Sequence, residues 1–274
     1  MPTHSAPLPY RPPTPPAHAS GARGALCLWV CAVAAVLLAS GASAQSGWGG
    51  GAFFNADVFR ADREAWHEER LVVQRRFSAG AASLEGGTVS RNGFTDPFVA
   101  TDLYARAGTR GYGNLRAQWA PEASGVPRLD LLAEAYAVVG TGWEASLGAR
   151  HIVTASSAAT LGTGSVAKYV GNWTVRARGV ATLDETIAVS TSLSARYLFD
   201  GVGGLTAPFA EVTVGRGREP VVAAGGLEIR PSWVVNGRVQ REVRSGFGVS
   251  ASLGYIWDDS LTRWTGGLGV TGRF

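Results

Sequence analysis

The chain has 274 residues, of which only 17% are charged and 37 are glycine. This composition is unusual for a soluble α/β enzyme and is typical of many β-strands joined by glycine-rich turns. The formal charge of +4 includes Arg11 and Arg23 near the amino terminus, so the charge on the rest of the chain is too small and too dispersed for nucleic-acid binding.

The amino-terminal segment has the features of a secretory signal. An apolar run at 25–38 follows the two arginines, and residues 42–44 form the small-x-small pattern at which signal peptidase cuts. Fourteen apolar residues are fewer than a membrane-spanning helix needs, which disfavours an uncleaved anchor. We therefore expect residues 1–44, with their proline-rich lead, to be a signal peptide, residues 45–51 a linker, and residues 52–274 the mature domain. Cys27 and Cys31 lie within the signal, so the mature domain has no cysteine for a disulfide or a thiolate site.

Alternation of apolar and polar residues with a period of two predicts fourteen strands along the mature chain. In 187–199, for example, apolar side chains alternate with Ala188, three serines and Arg196. No later run is apolar for long enough to form a membrane-spanning helix, and an even number of strands is typical of a bacterial barrel. The predicted strands are 52–59, 66–77, 82–91, 98–107, 112–120, 129–138, 142–153, 158–169, 172–182, 187–199, 206–215, 232–243, 247–257 and 264–274.

The final predicted strand shows the alternation of apolar and polar residues most clearly. Trp264, Leu268, Val270 and Phe274 fall on one face, while the other face carries glycine, threonine and Arg273. An apolar outer face and a small or polar inner face suit a barrel strand between hydrocarbon and a wet interior.

The connections between the predicted strands alternate in character. Short glycine-rich links are expected to be periplasmic turns: 78–81, 108–111, 140–142, 170–171 and 245–246. Longer links are expected to face outward: 92–97, 121–128, 183–186 and 216–231.

Seven of the nine tryptophans lie at or near predicted strand ends, where indole rings favour the membrane interface. We expect these residues to form the aromatic girdles of the barrel: Trp66, Trp119, Trp143, Trp173, Trp233, Trp257 and Trp264. A soluble core capped by aromatic rings is the alternative, but the opposite faces of the strands carry almost no apolar residues. The pattern therefore favours a transmembrane antiparallel up-and-down β-barrel of about 14 strands, an all-β fold.

The segment 164–173, GSVAKYVGNW, resembles the YaiO family of outer-membrane β-barrel proteins, in which a similar segment joins two central strands. The opening WHE at 66–68 and the last strand add to the resemblance, which runs from about Asp57 to Phe274. Ala167 stands where the family usually has glycine, and the second aromatic residue before Trp173 is missing. The resemblance implies a barrel in the outer membrane of a Gram-negative cell envelope, and it implies no reaction and no catalytic residue.

Few residues are candidates for catalysis or metal binding. Barrel enzymes of the outer membrane carry a histidine two positions before a serine, so that base and nucleophile share one face. His67 is followed by Glu68 and Glu69, and His151 by Ile152 and Val153. No histidine and carboxylate cluster has metal-ligand spacing. We therefore expect no enzyme activity, no catalytic or metal-binding residue and no cofactor.

The inward faces of the predicted strands carry both signs of charge. The predicted inward residues are Asp102, Tyr104, Arg106, Arg116, Asp130, Glu134, Glu144, Arg150, Lys168, Arg176, Arg178, Arg196, Glu211, Arg238, Glu242 and Arg273. Lys168, Arg176 and Arg178 form the densest basic cluster, and the acids that could pair with arginines are Asp130, Glu134, Glu144 and Glu211. These charges have two interpretations. They could form an ion-pair network that fills the barrel, or they could line a narrow aqueous path that selects anions.

The sequence thus predicts an outer-membrane barrel with a structural or transport-related role and a lumen filled by ion pairs. A narrow channel for anions or glycans and an envelope lipid-modifying enzyme are alternatives, and a surface adhesin would act through 121–128 and 216–231. The expected partners are outer-membrane lipid and lipopolysaccharide, with the barrel assembly machinery and periplasmic chaperones during insertion. A glycan partner stays open, and no nucleic acid is expected.

Overall fold

The computed structural model describes residues 47–60, 63–183, 188–200, 206–223, 226–258 and 262–274. These residues form a closed antiparallel barrel of fourteen strands, in which successive strands pair and the last strand pairs with the first. The strands are β1 Trp48–Phe59, β2 Trp66–Phe77, β3 Gly80–Arg91, β4 Phe94–Ala107, β5 Gly111–Trp119, β6 Leu129–Gly140, β7 Trp143–Val153, β8 Ala158–Val170, β9 Trp173–Thr182, β10 Val189–Leu198, β11 Phe209–Ala223, β12 Gly226–Arg244, β13 Phe247–Asp258 and β14 Arg263–Arg273. The predicted fourteen-stranded up-and-down barrel is confirmed. The predicted signal, 1–44, and most of the predicted loop 183–186 lie outside the described residues.

The strand faces are inverted relative to those of a soluble protein. Leu84, Leu147 and Leu268 point outward and are 60%, 76% and 67% exposed, whereas Glu85 and Glu134 point inward and are 7% and 4% exposed. Outward leucine and valine are stable in this arrangement because they meet hydrocarbon, and the carboxylates find partners inside. Within the described residues, no helix is long and apolar enough to cross a membrane.

At one end of the barrel five of the six connections are turns of two or three residues, and both described chain ends lie there. Positive φ angles at glycine 108, 142, 171 and 246 allow the tight turns at this end. Bacterial outer-membrane barrels place short turns on the periplasmic side, so we call this the periplasmic end. The opposite end is the extracellular end.

Two predicted outward loops are wrong because the strands run further than the pattern suggested. Asn92 and Gly93 alone connect β3 to β4, with φ angles of 53° and 80°. An Asn-Gly pair with two positive φ angles makes the two-residue hairpin turn, so residues 94–97 join β4.

The predicted loop 216–231 is instead a hairpin, in which the pairing of β11 with β12 continues to Ala223 and Gly226. The β10 partner of β11 ends its pairing at Gly217, and the β13 partner of β12 ends at Ser232. Within the described residues, no strand pairs with β11 or β12 on that side beyond these points, and proline is tolerated on such an edge because no neighbour needs its missing N–H group.

The barrel closes along a seam between β1 and β14, which pair from Gly49 with Arg273 to Phe59 with Arg263. Residues 48–51, predicted as part of a linker, therefore belong to β1. Phe274 follows β14, and its amide donates to the Trp48 carbonyl at 3.2 Å. A Cβ on Gly269 would lie 2.5 Å from the Phe53 ring, so glycine on the inner face of β14 makes room for that ring.

Candidate functional site in the barrel interior

The four predicted lumen acids each lie beside an arginine. On β6 and β7, both carboxylate oxygens of Asp130 accept from Arg150, at 2.8 and 2.5 Å. Glu134 pairs with Arg178 at 3.0 Å, Glu144 with Arg176 at 2.8 Å, and Glu211 with Arg196 at 2.6 Å. Both arginines lie on β9, so the pair of Glu134 on β6 reaches across two intervening strands and the pair of Glu144 on β7 reaches across one.

Hydroxyl groups complete the coordination of two of these carboxylates. Ser146 donates to Glu134 at 2.6 Å and lies 2.6 Å from the hydroxyl of Ser165. Tyr112 donates to Glu144 at 3.1 Å. Buried carboxylates with an arginine and a hydroxyl donor have few lone pairs left unsatisfied, which favours a rigid interior.

A second group of pairs continues the network toward β2. Arg116 bridges two acids, Asp102 at 2.6 Å and Glu85 at 3.4 Å, and Arg70 reaches Glu85 at 3.5 Å. Asn114 adds an amide donor to Asp102 at 2.9 Å. Two guanidinium groups on one carboxylate hold three strands in a fixed arrangement.

Two further pairs lie near the seam. Arg263 donates to Asp57 at 3.0 Å near the extracellular end, and Arg273 donates to Glu242 at 3.1 Å near the periplasmic end. Arg263 and Asp57 join β14 to β1, so this pair cross-links the seam by charge as well as by backbone hydrogen bonds, whereas Arg273 and Glu242 join β14 to β12.

Lys168 does not belong to the lumen cluster, and its predicted inward position is wrong. In β8 the inward residues are Ser165 and Ala167, whereas Lys168 shares the outward face with Val166, which is 49% exposed. Its ammonium group lies 4.8 Å from the centre of the Trp143 ring and donates to the Thr141 carbonyl at 2.9 Å. The sequence pattern misleads here because the inward residues of β8 include Ala159, Leu161 and Ala167, which are no more polar than the outward ones.

The predicted outward loop 121–128 turns into the barrel mouth. Asp96, on the inner face of β4, accepts the amide of Gly125 at 2.6 Å, and its two oxygens accept the amide of Ser124 at 3.2 Å each. Buried side chains of the loop and the wall pack together: Ala120, Ala123 and Val126 with Val89, Phe98 and Ala100. We call residues 120–128 the inward loop. The inward position of this loop is predictable only if its apolar residues are recognised as partners of Phe98, which points inward at the same end of the barrel.

The periplasmic end is also narrowed by a connecting segment. Thr206 is 1% exposed, and its Cα lies 3.6 Å from the Cβ position of Gly248 on the inner face of β13. Gln240 of β12 donates to the Ala207 carbonyl at 3.0 Å. Both ends of the lumen therefore carry protein that lies inside the wall.

The described residues enclose two cavities of about 400 Å³ each in the interior, which share part of their lining. One cavity lies beneath the inward loop, beside Trp66 and Val126, and the other lies toward β10, beside Leu161 and Ser190, so both are in the extracellular half of the barrel. Arg116, Asp130, Arg150 and Ile152 line both cavities, so the ion pairs around Asp130 form the partition between them.

The tryptophans divide between the two membrane interfaces, with one exception. Trp119, Trp233, Trp257 and Trp264 are exposed at the extracellular end, and Trp143 and Trp173 are exposed at the periplasmic end. Trp66 is 7% exposed and points into the lumen, where its ring packs on Phe59 with the centroids 4.7 Å apart. Its predicted place in the girdle is wrong because its position at a strand end did not reveal which face it occupies. Trp48, which was not predicted, is exposed at the periplasmic end.

Both described histidines lie on the outer face. His67 lies 3.7 Å from Glu69, and Nδ1 of His151 lies 3.0 Å from the hydroxyl of Thr160 on the neighbouring strand. The contact with Thr160 was not predicted, since it joins residues on two strands. No group of three or more metal-ligating side chains converges within the described part of the chain.

Comparison with known proteins agrees with this architecture. The YaiO membrane beta barrel domain matches residues 50–221. Omp33, an outer membrane protein of Acinetobacter baumannii, has a similar structure, with a TM-score of 0.52 and 12% identity over 84% of this chain and 100% of that one. OpdO of Pseudomonas aeruginosa gives a TM-score of 0.47 with 10% identity, over 82% of this chain and 95% of that one. The translocator domain of the autotransporter NalP from Neisseria meningitidis gives 0.45 with 13% identity, over 92% and 96%. No curated protein sequence matches the chain.

Proposed function

Because the chain belongs to the YaiO membrane beta barrel domain family and lies in the outer membrane, we propose that it serves there as a structural barrel with a closed lumen. In this proposal the interior holds the wall together by ion pairs and does not conduct.

The pairing of the lumen acids carries the proposal. Asp130, Glu134, Glu144 and Glu211 each hold an arginine at 3.0 Å or less. Such pairs fix side chains in the centre of the lumen and leave little continuous water. The inward loop at one end and residues 206–208 at the other narrow what remains.

Single-channel recording in planar bilayers tests the proposal. The unmutated barrel should give no large, stable currents. Glu144→Ala should leave Arg176 without its carboxylate, raise the conductance and lower the free energy of unfolding by about 3 kcal/mol, because removal of one partner strands the other. Glu69→Ala is the matched control, since Glu69 lies on the outer face beside Thr88 and its loss leaves the interior unchanged.

The narrow channel is a second candidate because the two cavities lie on either side of one partition. Movement of Arg150 away from Asp130 would join them into one continuous space in the extracellular half of the lumen. Stable anion-selective currents from the unmutated protein would establish this candidate and refute the closed lumen.

The proposal includes no catalytic role. A histidine that activates a hydroxyl needs a third group that orients its other ring nitrogen. No such group bonds to the His151 ring within the described part of the chain. Purified protein should therefore release no fatty acid from phospholipid or lipopolysaccharide, and hydrolysis that Thr160→Ala abolishes would refute this point.

A further inference from the structure

The outer face of the periplasmic end carries three basic side chains, each of which lies over an aromatic ring. Arg75 lies 5.2 Å from the centre of the Trp48 ring, Lys168 lies 4.8 Å from that of Trp143, and Arg241 lies 5.1 Å from that of Phe199. The three rings are 40%, 45% and 39% exposed, so they face the surroundings of the barrel.

The three cations occupy corresponding heights on the wall. Arg75 and Lys168 each stand two residues before the periplasmic end of their strand, and Arg241 stands three residues before it. They lie on β2, β8 and β12, with gaps of six, four and four strands around the barrel. We call these three residues the basic rim. Their spacing distributes the positive charge around the whole circumference.

The basic rim differs from the arginines of the lumen in its lack of carboxylate partners within the described residues. Among the residues that the structure describes, none of the three cations lies within ion-pair distance of a carboxylate. Glu69 is the one outward carboxylate among the described strand side chains, and it lies toward the extracellular end beside Thr88. Three uncompensated cations at the level where the aliphatic band ends match the height of lipid phosphates.

We propose that the basic rim binds the phosphate groups of anionic phospholipids in the periplasmic leaflet. The aromatic ring beneath each cation holds it against the wall, and the cation retains free N–H groups for a phosphate oxygen. An anionic headgroup, as in phosphatidylglycerol, fits better than a zwitterionic one, since it brings no positive charge to the rim. This inference goes beyond the closed lumen and does not depend on it.

Spin-labelled lipids measure the selectivity of the barrel for its boundary lipids. The protein is reconstituted at low salt in phosphatidylcholine vesicles that contain a trace of spin-labelled phosphatidylglycerol or spin-labelled phosphatidylcholine. Each basic side chain near an anionic headgroup changes the association of that lipid by about fivefold. The unmutated protein should therefore prefer phosphatidylglycerol several-fold, and the triple variant R75Q/K168Q/R241Q should reduce the preference to near unity. High salt should have the same effect as the triple substitution.

Arg216→Gln is the matched control, because Arg216 lies over the Trp233 ring at 4.7 Å on the outer face of the extracellular end. This variant should keep the preference for phosphatidylglycerol. Equal selectivity in the triple variant and the unmutated protein would overturn the proposal, as would an equal loss in Arg216→Gln. A heat-modifiable band on a gel verifies that each variant is folded before its selectivity is compared.

Discussion

Asp96 is the attachment point of the inward loop, and its replacement by alanine should release that loop. The carboxylate accepts two backbone amides, from Ser124 and Gly125, at 2.6 to 3.2 Å. Asp96 is 6% exposed and Gly125 is buried, so water replaces these bonds poorly. A hydrogen bond to a charged acceptor contributes about 1.5 to 3 kcal/mol.

The lower end of that range gives about 3 kcal/mol for two donors, which corresponds to about a hundredfold increase in the fraction of molecules with an open loop. The apolar contacts of Val126 with the wall remain in the variant, so the barrel itself should stay folded. Asp96→Asn keeps one amide-accepting oxygen without the charge, so its effect should be intermediate.

Cleavage by endoproteinase Glu-C after Glu122 reports this opening. Glu122 is exposed, but the following Ala123 is buried against the wall, so the protease needs an open loop to bind the bond. The cleavage rate at this position should rise about a hundredfold in Asp96→Ala when opening is fast relative to cleavage. Mass spectrometry identifies the fragment, and Glu122→Gln removes the cleavage site.

Glu242→Ala provides the matched control for loss of an interior carboxylate. Glu242 pairs with Arg273 at the periplasmic end, far from the inward loop, so its loss should leave cleavage after Glu122 unchanged. Equal cleavage rates in Asp96→Ala and the unmutated protein would refute the role of Asp96, and so would an equal increase in Glu242→Ala.

Two further predictions concern the strand faces and their packing. Leu193→Arg places a charge on the outer face and should cost about 2 to 4 kcal/mol of folding free energy in liposomes, whereas Ser192→Arg on the inner face should be far milder; equal costs would mean that the faces are wrongly assigned. Gly148→Ala should cost about 1 to 3 kcal/mol, because its Cβ would overlap the Ala133 carbonyl of the neighbouring strand. Gly164→Ala, whose Cβ would be 3.4 Å from its nearest neighbour, should be nearly neutral. Urea titration measures the free energy of unfolding of both variants, and equal losses would contradict the strand packing described here.

The strands could be predicted from sequence because every second side chain of a barrel strand faces hydrocarbon and is therefore apolar. Where this alternation is strong, as around Leu193, the pattern shows both the strand and its faces. Where the inner face also carries apolar residues, as at Leu161 and Ala167, the contrast disappears and Lys168 is assigned to the wrong face. The acids could be identified as lumen residues, but the distances to particular arginines depend on the stagger between strands.

The inward loop and the long hairpin could not be predicted for a different reason. Both depend on contacts that join distant parts of the chain. The loop contains proline and glycine, as exposed loops do, and only the position of Asp96 on the facing strand shows that its amides have an interior partner. The prolines of the hairpin indicate a loop unless the free edges of β11 and β12 are known.

The seam also has a consequence for the order of events during assembly. Arg263 and Asp57 are 206 positions apart in the chain, yet they are paired across adjacent strands. Every other pairing of neighbouring strands is a local hairpin and can form while the chain is incomplete. The β1–β14 pairing cannot begin before β14 is delivered, so until then the curved sheet has two unpaired edges. Closure is therefore a late step with a large loss of chain entropy, and a truncation within β14 should leave the sheet open and prone to edge-to-edge association.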